Sequence, residues 1–153
     1  MILRNAWRRN NIGRRMNEAV RLFEGRIIDN LRSNGHSELT AAHINLTRNL
    51  DEDGTRLTEL ARRASLTKQS MSELVDQVEQ TGLIEKRRDP SDGRAKLVCF
   101  TEKGLEWLEA FQESLEVAEK EMRDELGSAM VDLMIEVLGK YVENQTVDTK
   151  SRQ

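Results

Sequence analysis

Leu57-Thr58-Glu59-Leu60-Ala61-Arg62-Arg63-Ala64-Ser65-Leu66-Thr67-Lys68-Gln69-Ser70-Met71-Ser72-Glu73-Leu74-Val75-Asp76-Gln77-Val78-Glu79-Gln80-Thr81-Gly82 decides the fold. Its first half reads as a short helix with Leu60, Ala61 and Ala64 inward. Its second half places Met71, Leu74, Val75 and Val78 on one stripe at helical spacing. Thr67 is a natural N-cap, with Leu66 and Met71 at the two positions of a hydrophobic staple. Gly82 is a natural stop. Two helices joined through Ala64-Ser65-Leu66 follow the helix-turn-helix plan.

Downstream, Leu83-Ile84-Glu85-Lys86-Arg87-Arg88 and Arg94-Ala95-Lys96-Leu97-Val98-Cys99-Phe100 flank the loop Asp89-Pro90-Ser91-Asp92-Gly93, which predicts a β-hairpin with Gly93 and Arg94 at its tip. A hairpin directly after the second helix makes a wing. Upstream, Ile12, Met16, Val20, Phe23, Ile27 and Leu31 form a helical stripe that Asn34-Gly35 ends, and Asp51-Glu52-Asp53-Gly54 is a turn. The staple pattern around Thr67 recurs as Leu39-Thr40 to Ile44 and Phe100-Thr101 to Leu105, marking two more helix starts. Leu105, Leu108, Leu115, Met122 and Leu126 suit one long helix. Met130, Leu133, Met134, Val137, Leu138 and Tyr141 suit another. The polar end from Asn144, and residues 146–153 in particular, reads as a flexible tail. The fold class is mostly α with a small β-hairpin, a winged helix-turn-helix flanked by long terminal helices whose apolar stripes need a partner.

The composition agrees. Charged residues reach 33% of the 153 positions, against about 25% in ordinary soluble domains, and a single proline leaves long helices uninterrupted. Cys99 is the one cysteine, which excludes an internal disulfide framework and a multi-cysteine metal site. The N-terminus lacks a signal-peptide pattern and no stretch is apolar enough to span a bilayer, so a cytoplasmic location is expected. The net charge of −3 conceals a polarised chain: residues 1–32 carry +5, 33–55 carry −3, 56–104 carry +2 and 105–153 carry −7. A globally acidic chain of this kind can still present a basic face to an anionic partner. There is no Gly-rich phosphate loop, nucleophile triad or His-carboxylate cluster, so neither an enzyme nor a bound metal or other cofactor is expected.

Leu57-Thr58-Glu59-Leu60-Ala61, Leu66-Thr67 through Glu79, Gly82-Leu83-Ile84-Glu85-Lys86-Arg87, Asp89-Pro90-Ser91-Asp92-Gly93-Arg94-Ala95-Lys96-Leu97-Val98 and Phe100-Thr101-Glu102-Lys103-Gly104 together resemble the MarR (multiple antibiotic resistance regulator) family. The Asp92-x-Arg94-Ala95-Lys96 wing is the most specific part. The resemblance implies a homodimeric winged-helix transcription regulator, usually a repressor, which many relatives release from DNA by binding a small anionic or phenolic effector. It implies residues 1–36 and 102–145 as the helical dimerisation region. Residues 39–101 would form the winged helix-turn-helix, with a recognition helix over about 67–81 and a wing over about 83–100.

The recognition helix exposes Lys68, Gln69, Ser70, Ser72 and Glu73 opposite its core stripe, and the start of such a helix meets base edges in the major groove. Gln69 suits adenine, Lys68 guanine or a phosphate, and the serines either. Glu73 departs from the family pattern, which more often has a basic residue there. On the wing, Arg94 suits the minor groove and Arg87, Arg88 and Lys96 suit phosphates; by resemblance, Asp92 pairs with Arg94 and holds it extended. By resemblance too, His43 lies near the cleft where relatives bind effectors, and Asn45 with Arg14 or Arg15 would supply polar partners. Cys99 reads as a small buried hydrophobe. These residues predict a pseudo-palindromic duplex operator and a second copy of the chain as partners, with no membrane. The alternative is a winged-helix scaffold for another protein, without specific DNA binding.

Overall fold

The computed structural model describes residues 6–36 and 40–150; the side chains of Ala6, Arg9, Arg94 and residues 144–150 lie outside that description. By contacts the chain divides into two compact units, Met1–Ser114 and Leu115–Gln153.

In the first unit, α1 (Ala6–Arg9) leads to α2 (Ile12–Ser33), α3 (Ala41–Arg48), β1 (Thr55–Arg56), α4 (Leu57–Arg63), α5 (Lys68–Gln80), β2 (Ile84–Asp89), β3 (Asp92–Phe100) and the start of α6 (Glu102–Leu126). Asn11 caps α2 by accepting the Arg14 N–H at 2.9 Å. The helix stops where the sequence places its stop. Gly35 adopts φ +92°, the His36 N–H reaches the Leu31 carbonyl at 2.9 Å, and the Gly35 N–H reaches that of Arg32 at 3.1 Å. These two bonds satisfy the last carbonyls of the helix. Of its stripe, Ile27 and Leu31 are fully buried, whereas Ile12, Met16 and Val20 are exposed.

Helix α4 ends in the same pair of bonds, Leu66 N–H to Ala61 and Ser65 N–H to Arg62, but with Ser65 in the left-handed position at φ +55°. A side chain there crowds the backbone, which is why glycine is the usual occupant. Thr67 caps α5 by accepting the Ser70 N–H at 3.1 Å, and Met71, Leu74, Val75 and Val78 are all buried. They pack under α3, α4 and β2. This is the helix read from 67–81, ended by Gly82 at φ +79°.

The sheet has the order β1-β3-β2, antiparallel throughout. Strand β1, two residues long, is absent from the sequence reading because so short an extended segment has no periodicity. The hairpin also differs at its tip: Asp89 pairs with Asp92, so the turn is Pro90-Ser91, and Gly93 and Arg94 belong to the strand. The close pairing pulls the strand ends past the polar loop residues.

After the sheet, Thr101 accepts the Gly104 N–H and donates to the Gly82 carbonyl at 2.6 Å, pinning the start of α6 to the end of α5. Gly104 is obligatory there: a Cβ on it would lie 1.9 Å from the Leu83 carbonyl oxygen. The buried face of α6 is Gly104, Trp107, Ser114 and Ala118, with Phe111 against Trp107 at a 5.4 Å centroid separation. The long helix expected from Leu105, Leu108, Leu115, Met122 and Leu126 is there, but this buried face is a different one. Leu105 and Leu126 are exposed, as a stripe that needs a partner would be. Leu39, part of an expected staple, lies outside the described residues.

The second unit contains the end of α6 and α7 (Ser128–Lys150). Gly127, at φ +85°, makes the bend, and Arg123 braces it with ion pairs to Glu119 and Asp132, both at 2.7 Å. The backbone of α7 is helical to Lys150, through residues read as a flexible tail. Once a helix exists, each added residue brings its own hydrogen bond. Among the described residues, most large apolar side chains of α7 are exposed: Met130, Leu133, Ile135, Val137, Leu138, Tyr141 and Val142, against one buried, Val131.

Candidate nucleic-acid interface

One face of the first unit is made by the start of α5 and the hairpin. Burial of Met71, Leu74, Val75 and Val78 turns the opposite arc of α5 outward, so Lys68, Gln69, Ser70 and Glu73 are exposed and Ser72 is half-buried. The first turn contains no acidic residue. Its free N–H groups and helix dipole add positive potential to that of Lys68. The Thr67 hydroxyl donates to Ser70 Oγ at 2.8 Å, which leaves the Ser70 proton available to an outside acceptor. Gln69 Nε2 donates to Glu73 Oε1 at 3.2 Å, one turn away.

Two ion-pair clusters hold the hairpin against the helices. Asp89, nearly buried, accepts from the Ser91 hydroxyl at 2.7 Å, the Ser91 N–H at 2.8 Å and Arg56 Nε at 2.6 Å. Those bonds, the Ser91 hydroxyl foremost, lower its carboxyl to a pKa of about 2. The hairpin turn is thereby tied to the residue that precedes α4. Lys86 bridges β2 to α5 through Asp76 and through Glu79 at 2.8 Å, and its own N–H reaches Glu79 Oε1 at 3.0 Å. The Asp76 carboxylate first, then Glu79, raises the Lys86 ammonium above its ordinary pKa.

Between α5 and the hairpin lies an open cavity of about 620 Å³, with Lys68, Ser72, Asp76, Lys86, Asp92 and Lys96 in its wall. Arg88 sits directly across the ladder from Lys96. Like charges in that position repel unless an anion lies over them. Among the described residues no carboxylate pairs with Lys68, Arg88 or Lys96, whereas Arg56, Lys86 and Arg87 are each engaged. Arg87 alternates to the opposite side of β2, where it pairs with Glu85.

The structure therefore brings together Lys68, Ser72, Asp92 and Lys96 of the expected site, sets Arg88 beside them, and turns Arg87 away. The Arg94 side chain, and with it the expected pairing with Asp92, lies outside the described residues. The residues named for an effector are not assembled. His43 Nδ1 accepts the Thr40 N–H at 3.3 Å as part of the α3 cap, and burial holds its pKa below the ordinary value. Asn45 accepts from Asn49. Arg14 and Arg15 both pair with Glu18 on their own helix. They sit roughly 15 Å along α2, at 1.5 Å per residue, from Glu24, where Arg48 joins α3 to α2. Cys99 is buried, which raises its pKa as expected for an inert thiol.

Sequence reasoning missed Arg56 and Asp89. Asp89-Pro90-Ser91 is itself a signal, since an Asp at the head of a turn accepts the N–H two residues on. Arg56 gives none, because its partner is 33 residues away.

Comparison with known proteins finds relatives of this face. The MarR family model matches residues 42–96. Over that stretch the chain is similar to MarR-family domains. The HTH-type transcriptional regulator YdgJ of Bacillus subtilis (strain 168), itself uncharacterised, is 28% identical over 87 residues, 57% of this chain and 53% of that one. The chain thus matches about half the length of this curated relative. Among solved structures, MarR superposes with a TM-score of 0.78 at 21% identity over 94% of this chain and 96% of that one. A MarR-family regulator from Rhodococcus sp. RHA1 gives 0.69 at 21% over 83% and 89%. The repressor CouR, bound to a 23-mer DNA duplex, gives 0.71 at 20% over 93% and 99%. The matched stretch contains every element of the face described above except the ends of α3 and β3.

Among the described residues, no helix is long and apolar enough to cross a membrane, and no His, Cys, Asp or Glu cluster is arranged to hold a metal ion.

Proposed function

We propose that this chain is a DNA-binding transcriptional regulator that acts as a homodimer, with α5 entering the major groove and the hairpin lying along the flanking backbone. One observation carries the reading: among the described residues, Lys68, Arg88 and Lys96 have no carboxylate partner on the face shared by α5 and the hairpin, while neighbouring cations are neutralised. Uncompensated cations spaced along a helix and an adjacent hairpin suit the phosphates of a duplex. Lys68, Gln69, Ser70, Ser72 and Glu73 are assigned to the major groove. Arg88 and Lys96 are assigned to phosphates, Arg94 with Asp92 to the minor groove, and Arg87 to a lesser, peripheral contact.

The exposed apolar residues of α7 support a second copy as partner, since so many on one helix mark an interaction surface. A two-fold dimer reads a pseudo-palindrome with half-sites about one helical turn apart. Repression, relief by an anionic or phenolic effector and a cytoplasmic location complete the proposal. Its support is the MarR-family match and the solved complex of the structural relative CouR from Rhodococcus jostii RHA1 with p-coumaroyl-CoA. An effector acts only by preferring a half-site spacing that DNA does not fit.

Selection of bound fragments from genomic DNA, followed by fluorescence anisotropy on the winning duplex and on random DNA, tests the reading. Tight binding to the selected duplex, at least a hundredfold over random, is expected. Equal affinity for both duplexes overturns it in favour of a protein-binding scaffold.

A further inference from the structure

Glu73 is a carboxylate on a face otherwise suited to phosphates, and its contact in the structure is with Gln69, whose Nε2 donates to Glu73 Oε1 at 3.2 Å. A free glutamine amide can flip, presenting its carbonyl or its second N–H at the same place. Beside Glu73 the flip would set the amide oxygen against a carboxylate oxygen, two acceptors with no proton between them. The Gln69 amide is therefore held with one N–H on Glu73, leaving its other N–H and its Oε1 to face outward in a fixed order.

That order has a chemical match. The major-groove edge of adenine offers an acceptor, N7, beside a donor, the N6 amino group, whereas guanine offers two acceptors, N7 and O6. A fixed donor and acceptor pair with adenine; against guanine the Gln69 oxygen would meet O6 without a proton. We propose that Glu73 is a positioning residue that makes Gln69 selective for adenine over guanine, and that its charge at the same time weakens binding to DNA in general. Both effects widen the gap between the right site and any other. The inference rests on the DNA-binding reading above.

The test is site selection from a randomised duplex library by the full-length wild type, Gln69→Ala, Glu73→Ala, Glu73→Gln and the double variant Gln69→Ala/Glu73→Ala, followed by anisotropy on the A·T and G·C versions of the position whose preference Gln69→Ala abolishes. Both residues are exposed, so the variants keep the fold, which circular dichroism checks. Wild type is expected to favour adenine at that position by about tenfold or more. Glu73→Ala is expected to bring the preference within about threefold while tightening binding to random DNA, an effect that follows from the lost repulsion. Glu73→Gln removes the charge and adds a donor to the acceptor, so Gln69 can bond to it either way round; it too tightens random binding and is expected to bring the preference within about threefold. The double variant shows no loss beyond that of Gln69→Ala. An undiminished adenine preference in Glu73→Ala overturns the proposal, as does a change in the double variant at a position Gln69 does not read, which would make Glu73 a base reader itself. A wild type that selects no site overturns the DNA-binding reading and this inference with it.

Discussion

Helices α5 and α7 both carry apolar residues at helical spacing, yet the structure treats them differently. In α5 the four stripe residues are buried by α3, α4 and β2, elements of the same unit. In α7, among the described residues, only Val131 is buried, and Leu133, Val137, Leu138 and Tyr141 lie exposed beside Met130. A stripe says that a face is meant to be covered, not by what. Where the cover is local, the helix completes a domain and its polar face is left for a ligand. Where it is not, the face is left for a partner, and we propose a second copy of the chain as that partner.

The sharpest way to break this contrast is to place charge on each helix in turn. Leu133→Asp with Val137→Asp in α7 is expected to turn a dimer into a monomer at micromolar concentration, seen by analytical ultracentrifugation. A sedimentation coefficient unchanged from the wild type would remove α7 from the interface. In α5, Val75→Ala leaves a cavity in a filled core and is expected to cost about 2 kcal/mol of unfolding free energy, at the low end for a buried aliphatic truncation. Urea denaturation measures it, and the association state of the folded protein is expected not to change.

A smaller effect sharpens the same comparison at the turn that aims α5. Ser65 sits at φ +55°, where a β-branched residue is worse than serine and glycine better. Ser65→Val is expected to lower stability by about 1–2 kcal/mol, with Ser65→Gly neutral or stabilising. The opposite order by thermal melting would mean the turn is not left-handed.

The last effect is a pH dependence. Asp89 is lowered from 3.8 to about 2, first by the Ser91 hydroxyl, then by the Ser91 N–H and Arg56. A carboxyl depressed in the folded state contributes stability above its unfolded pKa and loses it as pH falls through the folded one. Asp89→Asn is therefore expected to melt below the wild type at pH 7, and the gap between the two to narrow from about pH 4 to pH 2. A gap constant over that range would show that the carboxylate does not hold the hairpin turn.

The sequence revealed the parts of this molecule that are local. Thr67, Gly82 and the steps from Met71 to Val78 specify α5 because capping and amphipathic spacing act within a few residues. Asn34-Gly35 specifies the end of α2 for the same reason. What stayed hidden depends on distant partners. Strand β1 exists because Thr55 and Arg56 find Val98 and Leu97, and Arg56 matters because Asp89 lies beneath the hairpin turn. The buried face of α6 eluded the reading since Gly104, Ser114 and Ala118 are small. The interface was half legible: the exposed arc of α5 follows from its buried one, but which wing cations are free and which are paired, Lys96 against Lys86, is decided by the tertiary neighbours Asp76 and Glu79.

The central claim, that α5 and the hairpin of two copies grip one duplex, is tested most directly by the salt dependence of DNA binding in Arg88→Ala/Lys96→Ala. Each phosphate contact contributes a slope of roughly 0.9 in log K against log salt, so removing two contacts from each of two copies is expected to reduce the slope by about 3 to 4 on selected and random duplexes alike. A slope equal to that of the wild type would contradict the account.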